Sequence, residues 1–492
     1  MVDNYTKLLR KTWDELFDEL DTLDQKKNYE TLYKETINDL IQNINENYQT
    51  IFEALIDDYL KNVKAIGKLS PGLATGLKDI KDNITLNIYT GYTSDKSNAT
   101  KITKDTLFDV ASITKLFTAL LLLKEEEKEN INLKKCYSDY SDILINIDVP
   151  IINSLKFATE IRTPGKIDEE NISAKERMIR FEKAYIYKRN TFIYSDVPYM
   201  LVLMLFGNNE IDANINYIKK FYETFKGIGL ENTGYFTNPK TGGLLNISSE
   251  EKVEIFDPKA RKIETEKGFI LGHAGVTTTV EDLQKLFISL NNGFISQESL
   301  EKMITSITNT KYLLDDKGKP VIRKGKKVII NRGASVYINI GDLRESDIAK
   351  GYSKKAFASA GSTGTYSVFD LINGFNAIFL SNIKTTSYSK TLFTDNYEYG
   401  DKKDHLPKFY KTTIIAGTGT IRDGKLIRQD GSEMGYSRAT NNFKEEQFKT
   451  LLKLRFAKRV LLKKAFIESN SPEEYIIKEK RINDVFNDSR YI

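Results

Sequence analysis

The sequence predicts an α+β protein: an antiparallel β-sheet flanked by helices, with an inserted all-α subdomain and helical extensions at both ends. Three observations carry this. Apolar residues recur at helical spacing through the first 66 residues, Leu9, Trp13, Leu16, Leu20 and Leu23 following a 4-3-4-3 pattern. The period then changes to two, with Ile84, Leu86 and Ile88 alternating with polar residues. Far along the chain two strand-like runs, "AFASAGSTGTYSVFDL" and "FNAIFLSN", flank Asn373-Gly374, a strong hairpin signal. Strands early and late with helices between are best served by one sheet built from both ends of the domain.

Residues 1–67 read as a helical N-terminal extension. Ile37, Leu40 and Ile44, then Tyr48, Phe52, Leu55 and Tyr59, continue the pattern. Two amphipathic helices broken near Asp24–Asn28 are expected, packed on the main domain or offering a homo-oligomer or partner interface. Residues 68–385 form the expected main domain. Its first hairpin falls at about 72–77 and 84–92, across the turn-like "KDIKDN". Residues 386–440 are polar and irregular, with strand-like pieces such as "TTIIAG". Residues 441–492 form a C-terminal helical segment. Its first part, 441–468, is a basic amphipathic helix expected to cover the sheet with its apolar face and leave its lysines in water; a membrane surface is the alternative for such a helix.

The chain has 492 residues, 40% hydrophobic and 29% charged, as a globular protein does. Its net charge of +5 is small and spread along the chain, against nucleic acid as a partner. The longest apolar runs, Leu116–Leu123 and Met200–Phe206, are too short to span a bilayer, so no integral membrane segment is expected. The acidic start, "MVDNYTKLLRKTWDELFDEL", lacks the pattern of a secretory signal, and a cytoplasmic location is the expectation. Cys136 is the only cysteine, which excludes an internal disulfide and zinc sites built on several thiolates. His273 and His405 are the only histidines, so a His-rich metal site is excluded too; both are read as non-catalytic. No metal and no cofactor is expected.

One stretch demands chemistry. "FDVASITKLFTALLLL" sets Ser112 and Lys115 three residues apart at the mouth of a long apolar run. Positions i and i+3 share a helix face, so the two side chains would touch, with Leu116, Ala119, Leu120 and Leu123 packed below. A lysine at the edge of an apolar core pays a desolvation penalty for its charge, and a neutral amine can take a serine proton without histidine. The helix N-terminus adds backbone N–H groups and a positive dipole end that favour an oxyanion. The bland alternative is a serine that caps a helix beside a snorkelling lysine. The same spacing recurs at Ser249, Ser299, Ser381 and Ser387, but only Ser112 opens a long apolar helix.

"TLFDVASITKLFTALLLL" resembles the active-site helix of the serine β-lactamase and penicillin-binding protein family, nearest to its class C branch, which includes D-Ala-D-Ala peptidases, esterases and acyltransferases. The resemblance extends over about residues 68–385, through "GIGLENTGYF", "GHAGVTTTVEDLQKLFISLNNG" and "GSTGTYSVFDLINGFNAIFLSN". It implies the β-lactamase/transpeptidase fold and an acyl-enzyme on Ser112. It also implies that Tyr194, in Tyr194-Ser195-Asp196, shares proton transfer with Lys115 as a coupled pair. Asp196 stands where the family commonly has asparagine and is assigned to substrate binding; as a local signal it also reads as a helix N-cap ahead of Pro198.

For the family's third motif the aligned residues are Ser359-Ala360-Gly361, without the usual cation. Ser359 and Gly361 are assigned to substrate binding. The resemblance also implies that the N–H of Ser362 completes an oxyanion hole with that of Ser112. The uncharged Ser359 implies weak preference for carboxylate-bearing substrates. A further departure is "NSLKFATEIRTPGKI", which lacks the His and Gly of the family's corresponding stretch. The expected function is a serine hydrolase acting on a small-molecule or peptide acyl substrate. The alternatives are an acyltransferase using the same Ser-Lys-Tyr site and a non-catalytic binding protein on the same fold.

Overall fold

The structure is a computed structural model. It describes residues 2–21, 29–43, 46–67, 72–93, 100–167, 172–237, 245–246, 253–254, 272–308, 312–315, 317–323, 325–341, 347–361, 363–381, 419–422, 425–428, 433–434 and 436–492.

The chain opens with three helices, α1 (Val2–Glu19), α2 (Tyr29–Asn43) and α3 (Tyr48–Gly67), where the periodicity predicts two. The second break falls at Asn47, whose side-chain oxygen accepts the backbone N–H of Thr50 at 2.9 Å, starting a new helix with a local cap. The hairpin follows as β1 (Gly72–Asp79) and β2 (Ile84–Gly91), within two residues of expectation. Next come β3 (Thr106–Asp109), α4 (Thr114–Glu127) and α5 (Glu210–Lys226). They are followed by β4 (Thr277–Thr278), α6 (Val280–Asn291), α7 (Gln297–Ile304) and β5 (Tyr337–Ile338). The inserted region is mainly helical but not wholly so, since Glu160–Arg162 pairs with Tyr185–Lys188. Then come β6 (Phe357–Gly361), β7 (Thr365–Asp370), β8 (Phe375–Ser381), α8 (Tyr436–Ile467), α9 (Pro472–Val485) and β9 (Asn487–Tyr491).

The main sheet has seven strands in the order β5-β6-β7-β8-β1-β2-β9. Its fold class is the predicted one, with one difference. β9 runs parallel to β2, so the sheet is mixed, and a segment read as wholly helical ends in a strand. The expected turn at Asn373-Gly374 is present: Gly374 adopts φ +78°, and its N–H donates to Asp370 O at 2.8 Å.

The chain divides into two compact units. The first comprises 1–103, 341–356 and 367–492, so both terminal extensions share a unit with β1, β2 and β8. Trp13 packs, tilted, with its ring centre 5.1 Å from that of Tyr33 and lies 5.0 Å edge-on against Phe456 of α8. The apolar face considered for oligomer contact is therefore covered within the chain. α8 is not a helix with a solvated basic face. Lys444, Lys453, Arg455 and Lys458 are buried with its leucines. Arg455 is fully buried and pairs with Asp79, while Lys458 donates to Asn83 O at 2.9 Å. Such buried charges are tolerated because each finds a partner. Within 386–440 three short strands are described, 419–422, 425–428 and 433–434; "TTIIAG" lies outside the described residues.

The second unit comprises 104–340 and 357–366 and contains α4, which is buried on almost every side. Phe117 meets Phe225 of α5 at 5.2 Å. The loop at 227–236 docks on α6: Asp282 is N-capped by Thr279 and accepts the N–H of Asn232 at 2.7 Å and the hydroxyl of Thr233 at 3.0 Å. Among the described residues no helix is long and apolar enough to cross a membrane.

Candidate active site

Every described residue of the candidate site lies in the second unit. The chain reaches Ser112 through a clamped turn. Ala111 holds φ +45°, a left-handed conformation that a non-glycine residue keeps only under constraint. The constraint is visible. Asp109 Oδ1 accepts the Ala111 N–H at 2.7 Å, and the Val110 N–H donates to Val276 O at 3.0 Å. Thr363 and Thr365 donate to Asp109 O and Val110 O at 2.6 and 3.2 Å. Ser112 then lies in a single 3₁₀ turn, Ala111–Ile113, before α4 begins at Thr114. It does not cap the helix: neither N-cap position makes a side-chain cap bond.

Lys115 is 1% exposed. Its Nζ lies 3.1 Å from Ser112 Oγ, 2.9 Å from His273 O and 2.7 Å from Asp196 Oδ1. The first two accept hydrogen bonds from the lysine, and the Asp196 carboxylate forms an ion pair with it. The position of His273 O follows from two bonds to α4. Thr118 donates to Gly272 O at 2.7 Å, and Thr114 Oγ1 accepts the Val276 N–H at 3.0 Å. The contribution of His273 is thus its backbone carbonyl. A carbonyl has no side-chain signature, so sequence reading missed it. His405 lies outside the described residues.

Tyr194 is 45% exposed, and its hydroxyl donates to Ser112 Oγ at 2.9 Å. The segment before it is fixed by backbone bonds: the N–H groups of Thr191 and Ile193 donate to Ala158 O and Phe157 O, each at 3.1 Å. Phe157, held at φ +61°, places its ring 5.0 Å from that of Tyr194. The departure at "NSLKFATE" therefore supplies the wall that supports the tyrosine. Below, Tyr199 donates to Leu155 O at 2.7 Å; burial holds its hydroxyl well above the usual tyrosine range, so it stays neutral. Asp196 occupies the N-cap position of the helix Val197–Leu201 but makes no side-chain cap bond. Its carboxylate faces Lys115 instead, because an ion pair with a buried ammonium outweighs a cap.

The copy of the motif at Ser299 is structural: Lys302 pairs with Glu126 at 2.6 Å, on α7. Ser249 and Ser387 lie outside the described residues, as does the lysine that completes the copy at Ser381.

Ser359 on β6 is 2% exposed, whereas Ala360 and Gly361 are half-buried. Gly361 has a steric reason to be glycine. A Cβ there would stand 2.2 Å from both Val110 O and Thr365 Oγ1, so only glycine lets β6 approach the turn before Ser112. Ser362 lies outside the described residues. One cation near the site has no motif to announce it: Arg332, whose guanidinium carbon lies 4.9 Å from the centre of the Tyr194 ring. Among the described residues no group of three or more His, Cys, Asp or Glu side chains could hold a metal ion.

Residues 62–144, which carry β1 to β3, Ser112 and Lys115, match the family model described as Beta-lactamase, the family the sequence resembles. Among solved structures the chain is similar to "EstCE1, a hydrolase with promiscuous acyltransferase activity", at 13% identity and a TM-score of 0.49, covering 68% of this chain and 94% of that one. It is also similar to a class C beta lactamase (17% identity, TM-score 0.45, 69% and 94% covered). A third is the octameric penicillin-binding protein homologue from Pyrococcus abyssi (18%, TM-score 0.45, 72% and 80%). No curated protein matches the sequence.

Proposed function

We propose that this protein is a serine hydrolase that forms an acyl-enzyme on Ser112. The observation that carries the reading is the convergence on Ser112 Oγ of Lys115 Nζ at 3.1 Å and the Tyr194 hydroxyl at 2.9 Å. A nucleophile within hydrogen-bond reach of proton-handling groups, themselves oriented by further partners, is what covalent catalysis requires. A binding scaffold has no use for a buried lysine aimed at a half-buried serine.

In the proposed reaction Ser112 Oγ bonds to the carbonyl carbon of the substrate. Its proton passes to whichever member of the Tyr194–Lys115 pair is unprotonated when the substrate binds. The other member donates to the attacking oxygen and stabilises charge on it. Tyr194, the exposed member, returns the proton to the leaving group as its bond to the acyl carbon breaks. Water then enters by the reverse sequence and releases the acid. Asp196 and His273 O hold the ammonium in place, so Asp196 is a positioning residue in this scheme rather than the substrate contact expected from sequence. The Ser112 N–H, with that of Ser362 by resemblance, would receive the oxyanion.

The test is intact mass after exposure to a fluorophosphonate, a penicillin and an activated ester, followed by peptide mapping. An adduct on the peptide containing Ser112, absent in Ser112→Ala, is the expected result. No adduct from any of the three would overturn the reading. An acyltransferase would use the same residues, and product analysis with added alcohols and amines separates the two activities.

A further inference from the structure

We infer that Arg332 recognises an anionic group, a carboxylate, on the acyl substrate of this site. The inference rests on the proposed acyl-enzyme reading and names the substrate class it serves.

Arg332 is half-buried at the foot of a tight hairpin. It bridges to Tyr337, the first residue of β5, and Tyr337 pairs with Ala358 on β6, next to Ser359. The hairpin is anchored to the end of α7. Ala334 N–H donates to Met303 O at 2.8 Å, and a Cβ on Gly333 would stand 2.0 Å from that same oxygen. The backbone at Arg332 is therefore held by close contact with a helix terminus.

Its side chain is held by aromatic faces. The guanidinium carbon lies 3.4 Å from the centre of the Tyr337 ring, 4.9 Å from that of Tyr194 and 5.7 Å from that of Phe157. Stacking engages the faces of the guanidinium and leaves its in-plane N–H donors available. Among the described residues none of those donors meets a carboxylate. Compare Arg177, Arg455 and Arg459, buried or half-buried arginines of this chain that each hold an Asp or Glu. Arg332 is thus a permanent charge whose fork meets no carboxylate among the described residues. One aromatic side chain, Tyr194, separates it from Ser112 Oγ. An acyl chain bonded to Ser112 that passes along the exposed Tyr194 ring brings a terminal carboxylate to the guanidinium. This strengthens the weak preference for carboxylate-bearing substrates expected from Ser359 alone.

The test uses the full chain carrying Ser112→Ala, so that recognition is read without turnover. Two stable probes are compared by calorimetry: the 4-nitroanilide of succinic acid, which carries a free carboxylate, and that of pentanoic acid, which does not. The succinyl probe should bind at least ~tenfold tighter, the scale of one charge-assisted hydrogen-bonded pair. Adding Arg332→Gln should bring the affinity ratio close to one, while Arg332→Lys should retain part of it, since a lysine keeps the charge without the fork. A ratio near one in the Ser112→Ala protein, an unchanged ratio in Arg332→Gln, or no binding of the succinyl probe would each overturn the inference. Failure of the acyl-enzyme reading appears separately, as absence of a Ser112 adduct in the native protein.

Discussion

The ammonium of Lys115 lies 2.7 Å from Oδ1 of Asp196, and the lysine is 1% exposed while the aspartate side chain is 44% exposed. A buried charge is paired here with one that reaches solvent, so the lysine is positioned without sealing the site. Asp196→Asn keeps the size and loses the charge. It should lower kcat by about tenfold or more, within the range of a positioned acid–base group, and leave KM within about threefold. A change confined to KM would mean that Asp196 contacts substrate, as the sequence suggests. Lys115→Met should nearly abolish turnover, with part returning at high pH, where hydroxide can substitute for the lost base.

Ser112→Ala should abolish covalent labelling and leave the fold intact. The hydroxyl caps no helix, so its removal costs only its two hydrogen bonds, about 1–3 kcal/mol. Thermal unfolding of the variant together with its labelling checks both parts. Persistent labelling of the same peptide would remove the nucleophile assignment.

Tyr194→Phe keeps the ring that packs on Phe157 and removes only the hydroxyl 2.9 Å from Ser112 Oγ. A general acid–base group contributes roughly 10²–10⁴-fold, so kcat should fall by at least ~10²-fold with an unchanged melting temperature. An activity within a factor of ten of native would assign the whole proton transfer to Lys115.

Gly361→Ala places a Cβ against backbone at Val110 O, which cannot yield as a flexible side chain would. Either β6 or the Ala111–Ser112 turn must move. The expected outcome is a large loss of acylation rate in a protein that still folds, read by fluorophosphonate labelling kinetics and circular dichroism. A native labelling rate would show that the turn tolerates displacement.

Lys156 is 8% exposed, and its pKa falls to about 8 from the usual 10.5, chiefly through burial, with the nearby charge of Lys302 adding to it. Between these values the unfolded chain holds a proton that the folded chain has released. Stability should therefore rise as pH increases from about 8 towards 10, by at most ~3 kcal/mol from this group. Lys156→Met should remove that rise. Urea unfolding at pH 7.5 and 10, in native and variant protein, reads the difference directly.

The elements that were legible are those with local causes. Leu9, Trp13 and Leu16 repeat at helical spacing because one face of α1 is buried. Asn373-Gly374 marks its turn because Gly374 needs a positive φ. The break at Asn47 was hidden because apolar spacing continues across it, and only the capping bond to Thr50 shows that a new helix starts. β9 was invisible for a different reason. "NDSRY" lacks the alternation of a half-buried strand, and its pairing with β2 is supplied by a strand about 400 residues away in sequence.

The same division runs through the site. The residue types and the i, i+3 spacing by themselves determined that Ser112 and Lys115 would meet, because helix geometry makes that contact local. A resemblance to a family led to Tyr194. Only the tertiary structure decided what surrounds them. The His273 carbonyl reaches Lys115 from 158 residues away, Asp196 turns from the helix cap to the lysine, and Arg332 stacks over Tyr194. The carbonyl and Arg332 have no periodic or motif signal, and the motif that marked Asp196 did not show its partner. Each depends on which segments a folded backbone brings within a few ångströms, and on a buried charge taking the nearest partner that offsets its lost hydration.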